Sequence, residues 1–100
     1  YRPNYQSDIP SRDDAYHKGT VWPWLLGPFI TEYLYVNRNS IKSRKQARVW
    51  LAGFETHLRE AGLGQVAEIF DAEAPHQPRG CIAQAWSVAE LLRAAVVLGV

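Results

Sequence analysis

The chain has 100 residues, 47% apolar and 21% charged, with a formal net charge of +1. That length holds one hydrophobic core and is short for two, and the near-neutral balance argues against a nucleic-acid-binding protein, whose basic residues cluster in surplus. Cys81 is the single cysteine, so a disulfide-built scaffold is excluded, and no apolar run approaches the roughly 20 residues that span a bilayer.

Residues 1 to 20 carry Pro3, Asn4, Asp8, Pro10, Asp13, Asp14 and Gly19 without apolar periodicity, and are expected to be irregular. From Pro23 the spacing of Trp24, Leu25, Leu26, Phe29, Ile30, Tyr33 and Leu34 predicts a helix over 23–37. Pro28 requires it either to begin late or to kink. Asn37 to Ser40 is a polar break. A second helix is predicted over 43–61, with Ala47, Trp50, Leu51, Phe54, Leu58 and Ala61 as its apolar stripe and Gly62 and Gly64 ending it.

Residues 65–80 read as a turn of helix at Gln65 to Glu68 followed by a proline-containing loop, longer than a simple connection and of the kind that carries function. The last helix is predicted over 82–98, with Ile82, Ala85, Trp86, Ala89, Leu92 and Val96 facing inward. Trp50, Phe54, Ile82, Trp86 and Ala89 are expected to be largely buried. The chain begins at Tyr1 and stops at Val100 inside this apolar stretch, and we expect it to be a piece of something longer.

Three constellations can carry chemistry. Tyr16-His17-Lys18-Gly19-Thr20-Val21-Trp22-Pro23-Trp24 places flat aromatic rings beside hydrogen-bonding side chains, which suits the apolar C–H faces and hydroxyl rims of a sugar. The same tryptophans can equally be core anchors. Glu68-Ile69-Phe70-Asp71, followed by Glu73, offers carboxylates for general-base work, or an ordinary acidic loop. Cys81, beside Gly80 at an expected helix start, is either an activated thiol or a small apolar residue, the second being the commoner case. His17, His57 and His76 lie in separate segments without metal-ligand spacing, so no metal site is expected.

Taken together and in this order, the stretches from Tyr16 to Trp24, from Ala67 to Asp71 and from Pro78 to Glu90 resemble the C-terminal end of the amylo-α-1,6-glucosidase domain of glycogen debranching enzymes. The third stretch, with Ala83-Gln84-Ala85-Trp86-Ser87, is the most specific. A weaker similarity extends to glucoamylases and trehalases. The resemblance implies an all-α fold, the C-terminal portion of an (α/α)₆ toroid barrel, with about three main helices and long loops. Residues 1–100 would be a single partial domain. It further implies that Glu68 is the general base of an inverting glycosidase, and that Tyr16, His17, Lys18, Gly19, Trp22 and Trp24 belong to the substrate-contacting loop. The general acid lies upstream in this family, and these residues do not contain it.

The implied substrate is glycogen or another branched α-glucan, with no cofactor, no nucleic-acid partner and no membrane, in a cytoplasmic location. The remainder of the barrel is an implied partner, and self-association of the isolated residues is expected because partial barrels expose apolar faces. Two alternatives stand beside this: a small helical interaction module without catalysis, and a related six-hairpin glycosidase of glucoamylase or trehalase type. A sugar site requires the loop of residues 16–24 to meet that of residues 68–80. An interaction module does not.

Overall fold

The computed structural model describes residues 1–100 and is mostly helical. In chain order it contains α1 (Ile9–Lys18), a 3₁₀ turn (Pro23–Leu25), α2 (Leu26–Val36), α3 (Ile41–Ala52), α4 (Glu55–Glu60), β1 (Ile69–Phe70), β2 (Pro78–Arg79) and α5 (Ala85–Leu98). The all-α expectation holds. The one sheet is a two-residue antiparallel pair, Ile69 opposite Arg79 and Phe70 opposite Pro78. No helix is long and apolar enough to cross a membrane.

The core lies where α2, α3 and α5 meet. Ile30, Leu34, Ala47, Ala94 and Leu98 form it, flanked by Leu26, Trp50 and Leu51. Each fully buried Ile or Leu contributes about 1.5–3 kcal/mol of transfer free energy. Pro28 causes no kink, because α2 begins at Leu26 and the proline falls in its first turn, where a backbone donor has no helical partner. Ser40 caps α3 by accepting the Ser43 N–H at 3.2 Å. Arg48 closes the far end of α5, donating to the Leu98 carbonyl through Nη2 at 2.7 Å, where the helix dipole also favours a cation.

Four expectations need correcting. The stretch before residue 20 is not wholly irregular, since α1 occupies Ile9–Lys18. Asp8 caps it, accepting the Ser11 N–H at 3.0 Å, yet Ala15 is its only buried residue. A helix lying on the surface has no apolar stripe to reveal it. The second helix is interrupted at Gly53 and Phe54, leaving α3 and the short α4, and Trp50 and Phe54 are half-buried. Residues 65–68 are not helical but run into β1, with Val66, Ala67 and Ile69 buried.

The fourth correction is the face of α5. It buries Ser87, Leu91, Ala94 and Leu98, while Ile82 and Ala89 are exposed and Trp86 is 48% exposed. The predicted inward stripe is the outward one. The helix is apolar on both sides, so periodicity alone does not choose between them. Its start at Ala85 also leaves Cys81 exposed in the preceding loop rather than at a helix N-terminus.

Candidate active site

The segment from Val66 to Asp71 is threaded between two others. Phe70 and Val21 exchange both backbone hydrogen bonds at 2.8 Å, while the Gln84 N–H donates to Val66 at 2.9 Å. The loop of residues 16–24 and that of residues 68–80 therefore meet. At their junction stands Glu68, half-buried.

Both carboxylate oxygens of Glu68 are held. Oε1 accepts the Tyr16 hydroxyl in a short hydrogen bond, and Oε2 accepts the Cys81 N–H at 3.0 Å. The backbone reciprocates, with the Glu68 N–H donating to the Cys81 carbonyl at 2.8 Å. Gly80 makes this approach possible. It has φ +67°, and a Cβ there would lie 2.5 Å from Glu68 Oε2 and 3.2 Å from the Glu68 Cβ. Both the left-handed backbone and the missing side chain are required. Sharing its proton with an anion pushes the Tyr16 phenol up to about 12.

An aromatic series runs outward from this carboxylate. Tyr16 meets Trp22 edge to face at 4.5 Å, Trp22 meets Trp86 at 6.0 Å, and Trp86 stacks on Trp24 at 5.5 Å and 28°. Trp22 is anchored by its indole N–H, which donates to the Tyr16 carbonyl at 3.1 Å. Half-exposed Trp86, between Trp22 and Trp24, is a flat apolar surface of the type that sugars stack on.

The other named residues lie further out. His17 sits edge-on to Tyr16 at 5.0 Å and is exposed. Lys18 is paired with Asp14, which also holds Arg2 at 3.0 Å. Gly19 caps α1, its N–H donating to Ala15 at 3.1 Å. Asp71, a local competitor for the base role, is 3% exposed, and both its oxygens are occupied: Oδ2 by Arg79 Nε at 3.0 Å and Oδ1 by the Tyr5 N–H at 2.7 Å. It ties the N-terminal segment to β2. Glu73 is exposed and accepts from Asn4 at 2.8 Å. No three side chains of His, Cys, Asp or Glu come together as metal ligands.

An apolar hollow of about 330 Å³ lies elsewhere, between α3, α4 and α5, with Leu51, Phe54, Leu58 and Val88 among its lining. Ten of its 13 lining residues are hydrophobic, so it lacks the array of donors and acceptors that sugar hydroxyls require.

Against this geometry, comparison with known families is decisive. A family model described as Amylo-alpha-1,6-glucosidase matches residues 1–93. The chain belongs to that family. No solved structure matches it. The match covers Tyr16, Trp22, Trp24, Glu68 and Trp86 alike, so the cluster lies wholly within the family's sequence pattern. Sequence reasoning overlooked the outward face of Trp86 and the part played by the Gly80–Cys81 backbone. The stretch from Pro78 to Glu90 held the signal for both, as the most specific of the three matching segments.

Proposed function

We propose that this chain is the C-terminal part of an inverting amylo-α-1,6-glucosidase acting on the single-glucose branch stubs of a glycogen-like glucan, with Glu68 as its general base. One observation carries the reading: within a family of glucosidases, Glu68 is the carboxylate held between two donors at the foot of an aromatic wall. Asp71, by contrast, is buried and ion-paired with Arg79.

In the inverting reaction the second carboxyl group stands roughly 6.5–9.5 Å away, leaving room for a water. Glu68 takes a proton from that water as the water oxygen attacks the anomeric carbon. The glycosidic C–O bond breaks, and an acid from the upstream part of the domain protonates the departing oxygen. Trp22, Trp24 and Trp86 supply the apolar faces, and His17 and Lys18 hydrogen bonds to hydroxyls. The rest of the barrel would complete the cleft.

The test is Glu68→Gln in the intact enzyme, which keeps the size and removes the basicity. Release of glucose from an α-1,6-branched dextrin should slow by roughly 10²–10⁴-fold, with substrate binding and melting temperature largely kept. Near-normal turnover would defeat the assignment.

A further inference from the structure

Tyr16 entered as a sugar-contacting residue, but its hydroxyl is already in use. A tyrosine has one O–H proton to donate, and that proton goes to Oε1 of Glu68. Only acceptor capacity remains for any sugar.

The rest of the residue is fixed. It lies in the last turn of α1. Its ring is bordered by Trp22 at 4.5 Å, His17 at 5.0 Å and Tyr5 at 6.4 Å. Its carbonyl accepts from the Trp22 indole at 3.1 Å and from the Thr20 hydroxyl at 3.3 Å. A phenol held on so many sides is a rigid donor, and rigidity around a reacting group is what keeps it in productive geometry.

Glu68 shows the complementary pattern. Each carboxylate oxygen has two lone pairs. Tyr16 takes one on Oε1 and the Cys81 N–H takes one on Oε2. One acceptor site on each oxygen remains for the attacking water.

We propose that Tyr16 is a positioning residue for the base: its hydroxyl fixes the rotation of the Glu68 carboxylate, and it binds no sugar hydroxyl. This rests on the assignment of Glu68 as the base. Tyr16 transfers no proton. The water's proton goes to Glu68 while the phenol keeps its own, and with its pKa pushed up to about 12 the phenol stays protonated throughout the neutral range.

The experiment compares Tyr16→Phe, Glu68→Gln and the double variant in the intact enzyme, with an α-1,6-branched dextrin as substrate. Phenylalanine keeps the ring contacts and removes the donor. Tyr16→Phe should lower kcat by roughly 10- to 100-fold, the penalty of a loosely aimed reacting group, with KM little changed.

In the Glu68→Gln background the same change should add no further loss, since residues acting as a unit are non-additive. A raised KM with an unchanged kcat would make Tyr16 a sugar contact and overturn the proposal. Near-normal turnover of Glu68→Gln would overturn the base assignment and this inference with it. A crippled Glu68→Gln beside an unaltered Tyr16→Phe would overturn the inference alone. Should Tyr16→Phe melt early, 3-fluorotyrosine at position 16 decides. It keeps the shape and the donor, and its fluorine resonance should shift when Glu68→Gln changes the partner of the hydroxyl; an unmoved resonance refutes the positioning role.

Discussion

Around Ile30, Leu34, Ala47, Ala94 and Leu98 three helices meet chiefly through apolar side chains, whereas residues 1–22 and 62–84 are joined largely by hydrogen bonds and a partly buried ion pair. In the second region the Asp71–Arg79 pair, the Val21–Phe70 bridge and the Glu68–Cys81 exchange replace a continuous core. The apolar region tolerates small shifts, because dispersion and burial are not directional. The polar region does not, because a hydrogen bond fails within a few tenths of an ångström and a few tens of degrees. Glu68 stands in the region where position is specified most sharply, and the helices beside it supply a rigid backing.

The largest expected effect comes from breaking the apolar region. Ile30 is wholly buried, and Ile30→Ala should destabilise by about 2–5 kcal/mol through lost burial and the cavity left behind. Chemical denaturation of the intact enzyme measures this. The molecules that remain folded should keep their turnover number, since Ile30 is on the helical side of the comparison. A loss of kcat matching the loss of stability would show that the two regions are not separable.

Gly80→Ala should reverse that pattern. An alanine forced to φ +67° costs about 1–2 kcal/mol, and its methyl group must also displace the Glu68 carboxylate. Turnover should fall by roughly 100-fold, in line with a small misplacement of a reacting group, for a smaller change in melting temperature than Ile30→Ala produces. Steady-state kinetics beside a thermal melt decide between the two. Unchanged kinetics would mean that the loop accommodates a side chain without moving Glu68.

How much of this was legible in the sequence depended on the same division. The helices α2 and α3 were visible because each buries one apolar side, and the aromatic loop and Glu68 were visible through a family pattern. The helix α1 was hidden because it buries only Ala15; its signals were the Asp8 cap and the glycine after Lys18, which are weak without periodicity. The helix α5 was found, but its phase was reversed. The run from Ala85 to Leu98 is apolar on both sides, and a serine, Ser87, occupies the buried one. The clasp on Glu68 was out of reach for a different reason. It depends on Gly80 turning the backbone so that the Cys81 N–H meets a carboxylate 13 positions earlier, and spacing carries no record of such a contact.

The smallest effect joins the two regions through His57. Its Nε2 accepts the N–H of Ala67 at 3.2 Å, one residue before Glu68, and its ring rests edge-on against Phe70 at 4.8 Å. Only a neutral imidazole can accept, and burial lowers the His57 pKa below its ordinary 6.5. A histidine whose folded pKa is depressed supports the fold fully above the unfolded value. That support declines as the pH falls below about 6.5, because the unfolded chain takes up the proton first, and the decline ends at the lower folded pKa. The contribution should be about 1 kcal/mol or less, the net worth of one hydrogen bond. His57→Gln offers a carbonyl oxygen in place of Nε2 and cannot titrate. Melting the two proteins in parallel between pH 7.5 and 5.5 isolates the effect, since His17 and His76 are common to both. The native protein should lose more stability over that range than the glutamine variant, and the Ala67 amide should lose more of its hydrogen-exchange protection. Parallel curves would remove His57 from any role in seating the segment that carries Glu68.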